Sequence, residues 1–112
     1  MTFNLKQISA CMIKVQIENQ LNDSLYSPSW DIGPCYGPKE INDDKSKTVF
    51  KQYRANNAYI DMCCLSPGSY TLRCMNDKTP FGWGKGFVEI RGQRYCDDFV
   101  GYRGLRRVVV EG

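Results

Sequence analysis

The stretch Ser66-Pro67-Gly68-Ser69-Tyr70-Thr71-Leu72-Arg73-Cys74-Met75 contains a turn followed by a β-strand. Pro67 presets the second position of the turn, and Gly68 accepts the positive φ of the third position, as a type II turn requires. Beyond the turn, Tyr70, Leu72 and Cys74 lie on one side of the chain and the residues between them lie on the other. This period of two is typical of a strand with one buried face.

Strand patterns of the same kind occur along the rest of the chain. Within residues 12–18, three β-branched apolar residues alternate with polar ones, and residues 105–111 are rich in valine. The other expected strands lie at 25–32, 48–53, 58–63, 87–90 and 93–99. No ten-residue stretch has helical spacing. The sequence therefore predicts one all-β domain over residues 1–112, an antiparallel β-sandwich of seven to eight short strands linked by disulfides.

Three segments break the strand pattern. Pro28 is expected to confine its strand to a sheet edge or a bulge, because proline cannot donate a hydrogen bond to a neighbouring strand. Residues 33–38 contain two glycines and two prolines and are expected to form a rigid loop. Residues 39–47 are the most polar run of the chain. We expect them to form a mobile surface connection.

The cysteines are expected to form structural disulfides. They are Cys11, Cys35, Cys63, Cys64, Cys74 and Cys96. Zinc ribbons need Cys-x-x-Cys pairs, which this chain lacks. Cys63 and Cys64 would point to opposite faces of a strand, so each is expected to bond a different partner and tie both sides of the sheet. Cys74 and Cys96 flank the glycine-rich loop and its hairpin and are expected to pair. The other four cysteines leave three pairings open.

The chain contains no histidine. This excludes Ser-His-Asp and Cys-His catalysis and every metal site that includes histidine. Asp61, Asp77, Asp97 and Asp98 are candidate calcium ligands, but they lack the Asp-x-Asp-x-Asp-Gly loop. We therefore expect them to be solvated turn residues. We also expect no enzymatic activity, no metal and no cofactor.

The net charge of +3 lies in the last third of the chain. Residues 1–70 carry seven basic and seven acidic side chains, whereas residues 71–112 carry eight basic and five acidic ones. Most of the excess comes from Arg91, Arg94, Arg103, Arg106 and Arg107. These arginines form either a solvated sheet face or a patch that faces an anion, such as a sulfated glycan or an acidic membrane. No nucleic-acid-binding motif accompanies them, so nucleic acid is not an expected partner.

The cysteine content also bears on the compartment. Six cysteines in 112 residues favour an oxidising, extracellular environment. Residues 1–10 lack a charged start followed by an apolar run, so they are not a signal peptide. We expect a secreted protein whose signal has been removed and to which Met1 was added. The alternative is a cytosolic structural or assembly protein with free thiols.

Residues 65–99 resemble a cysteine-containing β-sandwich module of secreted proteins. The resemblance lies in Leu-Ser-Pro-Gly-Ser-Tyr-Thr-Leu-Arg-Cys at 65–74, in the loop through Phe81-Gly82-Trp83, and in Tyr-Cys-Asp-Asp-Phe at 95–99. It covers a third of the chain and implies a secreted β-sandwich without implying a reaction. Phe81 stands where the module usually has aspartate in an Asp-Gly-Trp-Asn-Gly loop. A cation or capping site that depends on that aspartate is therefore expected to be lost.

The first third of the chain resembles aegerolysins, which are small membrane-active β-sandwich proteins. Residues 15–19 form a strand pattern that ends at an asparagine, and a tryptophan-bearing stretch follows at 25–33. This resemblance implies an alternative function at membranes.

Trp83, which is flanked by glycines, has two interpretations. Either the indole fills the core of the sandwich, or the loop holds Phe81 and Trp83 outward as a surface for stacking or membrane insertion. In the second case both rings would stack on a sugar while the five arginines bind its sulfate or carboxylate groups. The sequence thus predicts a non-catalytic extracellular binding or structural module for carbohydrate or matrix polyanion. A membrane-active, toxin-like protein is the alternative.

Overall fold

The computed structural model describes residues 11–17, 28–38, 40–44, 47–50, 53, 57–78 and 82–111. Within these ranges it contains ten β-strands and no helix. The strands are β1 (Met12–Ile17), β2 (Pro28–Ile32), β3 (Cys35–Gly37), β4 (Glu40–Asp44), β5 (Lys47–Phe50), β6 (Asn57–Met62), β7 (Gly68–Asn76), β8 (Phe87–Ile90), β9 (Gln93–Tyr95) and β10 (Arg103–Val110). The all-β prediction is confirmed, with more strands than the sequence pattern indicates.

Eight of these strands form two four-stranded sheets. Sheet A has the order β6-β1-β8-β9, and sheet B has the order β10-β7-β2-β3. β4 and β5 form a separate two-stranded sheet. Every neighbouring pair is antiparallel. The architecture is therefore the disulfide-linked antiparallel sandwich that the sequence predicts.

The core is one apolar cluster to which both sheets contribute. Alternation in β1 buries Ile13, Val15 and Ile17 completely, and β7 contributes Leu72 and Cys74 in the same way. Each fully buried aliphatic side chain of this size stabilises the folded state by about 1.5–3 kcal/mol. The two-residue periods seen in the sequence are thus the packing pattern of the interior.

Three disulfides pair all six cysteines. Cys74 bonds Cys96, as expected, and joins β7 of sheet B to the end of β9 in sheet A. Cys35 bonds Cys63 and joins β3 to the end of β6, again across the two sheets. Cys11 bonds Cys64 beside a backbone hydrogen bond from the Cys63 N–H to the Cys11 carbonyl (2.9 Å). The adjacent cysteines therefore do have different partners.

Pro28 lies in an interior strand of a sheet, so the expectation that its strand would be an edge strand or contain a bulge is wrong. It is the first residue of β2, an interior strand of sheet B, and its register partner on β7 is Asn76. On the other side, β3 pairs only from Trp30 onward. No described strand therefore requires a donor from Pro28 on that side. A first-position proline is tolerated for this reason.

Two segments expected to be irregular contain strands. Within 33–38, only the turn at Gly33 (φ 54°) and its neighbour precede β3, so the loop prediction is wrong for Cys35–Gly37. The polar run 39–47 contains β4, which pairs with β5. The register places Asp44 opposite Lys47. Polar composition alone therefore does not identify a connection.

A chain of hydrogen bonds connects the two sheets beside β6. The indole N–H of Trp30 donates to the Tyr53 hydroxyl (2.7 Å), which donates to Oδ2 of Asp61 (3.0 Å). The ring of Tyr53 also contacts that of Tyr59, with centroids 4.8 Å apart. Burial raises the pKa of the Tyr53 phenol well above its usual value, although the hydrogen bond from Trp30 opposes the shift. Tyr53 is therefore neutral in the folded protein.

Candidate functional site

The outer surface of sheet B carries a line of alternating cationic and aliphatic side chains. On β10, Arg103, Leu105, Arg107 and Val109 point outward because the residues between them face the core or the sheet edge. The neighbouring strand β7 places Arg73 opposite Leu105, Thr71 opposite Arg107 and Ser69 opposite Val109. We call these seven residues the basic face.

Arg103 and Arg107 are the exposed cations of the basic face that have no acidic partner in the described part of the chain. Among the described residues, neither lies within 4.0 Å of a carboxylate. They are four residues apart on one strand, so their Cα atoms are about 13 Å apart. Leu105 lies between them and is 59% exposed. Two guanidinium groups are thus available to an anion that extends along β10.

A shallow depression of about 370 Å³ lies between β7 and β10 on this face. Its walls are formed by Ser69, Tyr70, Thr71, Leu105, Arg106 and Arg107. The two hydroxyl groups can donate or accept hydrogen bonds, and the guanidinium can donate two in parallel to one anionic group. The depression is open, so it suits one segment of a longer chain that runs along β10.

The third arginine of the basic face is engaged in an ion pair. Arg73 donates from Nε to both carboxylate oxygens of Asp31, at 2.9 and 3.0 Å, and its Nη2 lies 2.9 Å from Oδ2. Hydrogen bonding to Asp31 raises the pKa of the Arg73 guanidinium above its usual value. This pair connects β2 to β7 and is neutral overall. The net positive charge of the basic face therefore comes from Arg103 and Arg107.

The other three arginines predicted to bind the ligand are not part of the basic face, although Arg106 lines one wall of the depression. Arg106 extends to Asp98, with Nη2 2.8 Å from Oδ1, and this hydrogen bond lowers the pKa of Asp98. Arg94 lies over the Phe87 ring at 4.1 Å from its centroid and 3.5 Å from Glu89, on sheet A. Arg91 occupies the β8–β9 turn with φ 55°. The five arginines therefore do not form one continuous patch.

Trp83 is inside the protein, so its assignment as a stacking residue is wrong. The indole is 0% exposed, its N–H donates to the Met75 carbonyl (2.9 Å), and its ring meets the Phe99 ring edge-on at 5.9 Å. Buried Asn76 closes the loop by donating to the Gly82 carbonyl (3.0 Å). The core-filling interpretation is thus confirmed. Phe81, the other predicted stacking residue, lies outside the described residues.

The hydroxyl and aliphatic residues of the basic face were missed by the sequence prediction. Counting by twos along the last strand would have separated Arg103 and Arg107 from Arg106, because alternate residues face opposite sides. The sequence contains no comparable signal for the partner residues on β7, since they depend on the pairing register of two distant strands.

Among the described residues, no three or more acidic or cysteine side chains form a group that could hold a metal ion.

No family model, curated protein or solved structure matches this chain. The described part of the chain contains no helix that is long and apolar enough to cross a membrane.

Proposed function

We propose that this protein is a non-catalytic extracellular module that binds a linear polyanion, such as a sulfated glycan, along strand β10. The observation that carries the proposal is the pair Arg103 and Arg107, which share one face without an acidic partner among the described residues. Three disulfides in a domain of this size are typical of extracellular proteins. Free thiols in a cytosolic protein are at odds with six paired cysteines.

The spacing on β10 favours an extended ligand over a compact anion. The Cα atoms of Arg103 and Arg107 are about 13 Å apart, and exposed Leu105 lies between them, so the two guanidinium groups offer two separate contact points along the strand. A chain with repeated anionic groups can contact both, and the apolar face of a sugar ring can pack on Leu105 between them. Ser69 and Thr71 then provide hydrogen bonds to hydroxyl or sulfate groups beside the chain. The ligand therefore lies parallel to the strand.

The test measures heparin-fragment binding by isothermal titration calorimetry for two double variants of equal charge. Arg103→Gln/Arg107→Gln removes both free cations of the basic face and is expected to weaken binding by about tenfold or more, because each charged hydrogen bond is worth about 1.5–3 kcal/mol. Lys14→Gln/Arg91→Asn removes two cations from sheet A and is expected to change affinity by less than about threefold. Asparagine suits the positive φ at position 91.

A series of fragment lengths tests the orientation of the ligand. Fragments too short to reach from Arg103 to Arg107 are expected to bind the parent protein more weakly than longer ones, because they contact only one of the two guanidinium groups at a time. Equal losses in both double variants would show attraction to net charge alone and would contradict the proposal. An affinity that does not depend on fragment length would contradict the extended arrangement.

A further inference from the structure

The outer surface of sheet A has an exposed apolar corner formed by Met12, Ile60 and Met62. These side chains are 41%, 55% and 67% exposed. Met12 is the register partner of Met62, and Ile60 lies on the same side of β6 as Met62. The three side chains therefore form one surface patch. Exposed apolar side chains that form a contiguous patch mark interaction sites more often than isolated ones do.

Two cations border this corner. Lys14 is opposite Ile60 in the register, and Arg91 lies in the turn that closes β8 and β9. Both line a shallow depression of about 210 Å³ together with Met12 and Ile60. Glu89 also lines this depression and is the register partner of Lys14 on β8, but its carboxylate is ion-paired with Arg94 at 3.5 Å. Within the described ranges, neither Lys14 nor Arg91 has a carboxylate within 4.0 Å. The border of the apolar corner is therefore positively charged.

The corner is held in place by covalent and backbone bonds. Cys11, which precedes Met12, is joined to Cys64 by a disulfide, and the backbone of Cys63 hydrogen-bonds to Cys11. Two strands thus present the apolar side chains before any partner arrives. Methionine side chains adapt to irregular apolar surroundings because they are flexible and polarisable. Little ordering is needed for this surface to enter another apolar phase.

We propose that this corner docks on a negatively charged lipid bilayer, with Met12, Ile60 and Met62 entering the interface and Lys14 and Arg91 contacting lipid phosphates. Apolar side chains bordered by cations are the combination that interfacial binding requires. A soluble polyanion offers no apolar phase for these three side chains. This proposal is independent of the basic face on the opposite side of the sandwich.

The primary test compares two matched variants in vesicle flotation. The vesicles are phosphatidylcholine alone and phosphatidylcholine mixed with phosphatidylglycerol. Ile60→Asp places a charge in the proposed interface, and Leu105→Asp places the same charge on the basic face at a similarly exposed position (59% against 55%). Ile60→Asp is expected to lower the partition coefficient on the anionic vesicles by about tenfold or more, because the isoleucine side chain that enters the bilayer interface is replaced by a charged one. Leu105→Asp is expected to lower it by less than about threefold.

A second readout measures methionine oxidation by dilute peroxide and mass spectrometry in the parent protein. Anionic vesicles are expected to slow oxidation of Met12 and Met62 several-fold and to leave Met75, on sheet B, unchanged. This readout needs no variant and so does not depend on the folding of Ile60→Asp. Arg103→Gln/Arg107→Gln is expected to keep vesicle binding, which separates this proposal from polyanion binding.

Several results would overturn membrane docking. One is no flotation with the anionic vesicles. Another is equal protection of Met75, and a third is a larger loss for Leu105→Asp than for Ile60→Asp. Flotation that survives in Ile60→Asp but disappears in Arg103→Gln/Arg107→Gln would move lipid binding to the basic face and would also contradict the proposal.

Discussion

The two buried tryptophans satisfy their indole N–H groups in different ways. Trp83 donates to a backbone carbonyl of β7, that of Met75. Trp30 donates to the hydroxyl of Tyr53, which in turn donates to Asp61. A backbone carbonyl is fixed by the strand and cannot ionise, whereas a phenol hydroxyl rotates and ionises. The hydrogen-bond partner of the Trp83 indole is therefore a fixed backbone atom, whereas that of the Trp30 indole is a side chain that can move.

The glycines next to each tryptophan show the same contrast. A Cβ built on Gly82 would overlap the backbone carbonyl oxygen of Phe99. A Cβ built on Gly37 would overlap the Tyr53 hydroxyl and would lie 2.6 Å from Nε1 of Trp30. Side chains can rotate away, but a carbonyl within a packed segment cannot. The two regions should therefore respond to the same added methyl group to different degrees.

The largest effect is expected for Gly82→Ala. Its φ of 64° costs an L-residue about 1–2 kcal/mol, and the overlap with Phe99 adds about 1–3 kcal/mol of overpacking. We expect urea unfolding to show a loss of about 2–5 kcal/mol, or no folded protein.

Gly92→Ala is the matched control for Gly82→Ala. Gly92 also has a positive φ (77°), but an added Cβ would meet nothing within 4 Å. This variant is expected to lose only the backbone cost of about 1–2 kcal/mol. Equal losses of stability in the two variants would show that the Phe99 carbonyl does not clash with a methyl group at position 82.

An intermediate effect is expected for Gly37→Ala. No left-handed backbone is required at Gly37, so the cost comes from displacing the Tyr53 hydroxyl and weakening the bond from Trp30. We expect a loss of about 1–3 kcal/mol in urea unfolding. A change in the near-ultraviolet circular dichroism of the tryptophans is expected to accompany it. An unchanged spectrum with unchanged stability would mean that a methyl group at position 37 fits beside Tyr53 and Trp30 without displacing them.

At neutral pH, the loss of stability expected for Tyr53→Phe lies in the same range as that for Gly37→Ala. Removal of the hydroxyl leaves the Trp30 N–H and Asp61 without this partner, which costs about 1–3 kcal/mol. The same variant tests ionisation. The folded state raises the pKa of Tyr53 above 10.0, so the unfolded state ionises first. The stability from this group is full below about pH 10 and falls by about 1.4 kcal/mol per unit as the pH rises further.

The alkaline dependence provides the comparison with the Trp83 region. The parent protein is expected to lose stability above about pH 10 more steeply than Tyr53→Phe, as measured by urea unfolding across that range. Burial of Tyr95 raises its pKa as well and leaves a residual slope in the variant. Trp83→Phe, which leaves Tyr53 in place, is expected to keep the full alkaline slope. Equal slopes in the parent and Tyr53→Phe would contradict the burial of this phenol.

The periodic parts of the sequence predicted the fold because burial repeats with the strand. Ile13, Val15 and Ile17 alternate as a half-buried strand should, and the flanking positions of Cys74 and Cys96 identified their disulfide. The same parity argument foresaw different partners for Cys63 and Cys64. These predictions needed only local spacing and the two faces of a strand.

The remaining features depend on contacts between segments that are distant in sequence. Glycines on both sides of Trp83 fit an inward or an outward indole equally well, and the choice was made by Phe99 and the Met75 carbonyl. The partner of Trp30 comes from Tyr53, 23 residues away. Pro28 fits an interior strand only because β3 stops short of it. For the basic face, alternation along β10 separates Arg103 and Arg107 from Arg106, but only the pairing of β10 with β7 shows that Ser69 and Thr71 lie beside them.

The consecutive cysteines at 63 and 64 fix the alignment of β6 with a resolution of one residue. Sliding β6 by one position along β1 would bring only one of the two cysteines to a bonding position, so either Cys35 or Cys11 would lose its partner, and it would turn every side chain of the strand to the opposite side. Ile60 and Met62 would then face inward, and Tyr59 and Asp61 would face solvent. The correct pair of crosslinks therefore excludes the isomer that conceals the methionine corner, so oxidative folding selects which surface of sheet A is displayed.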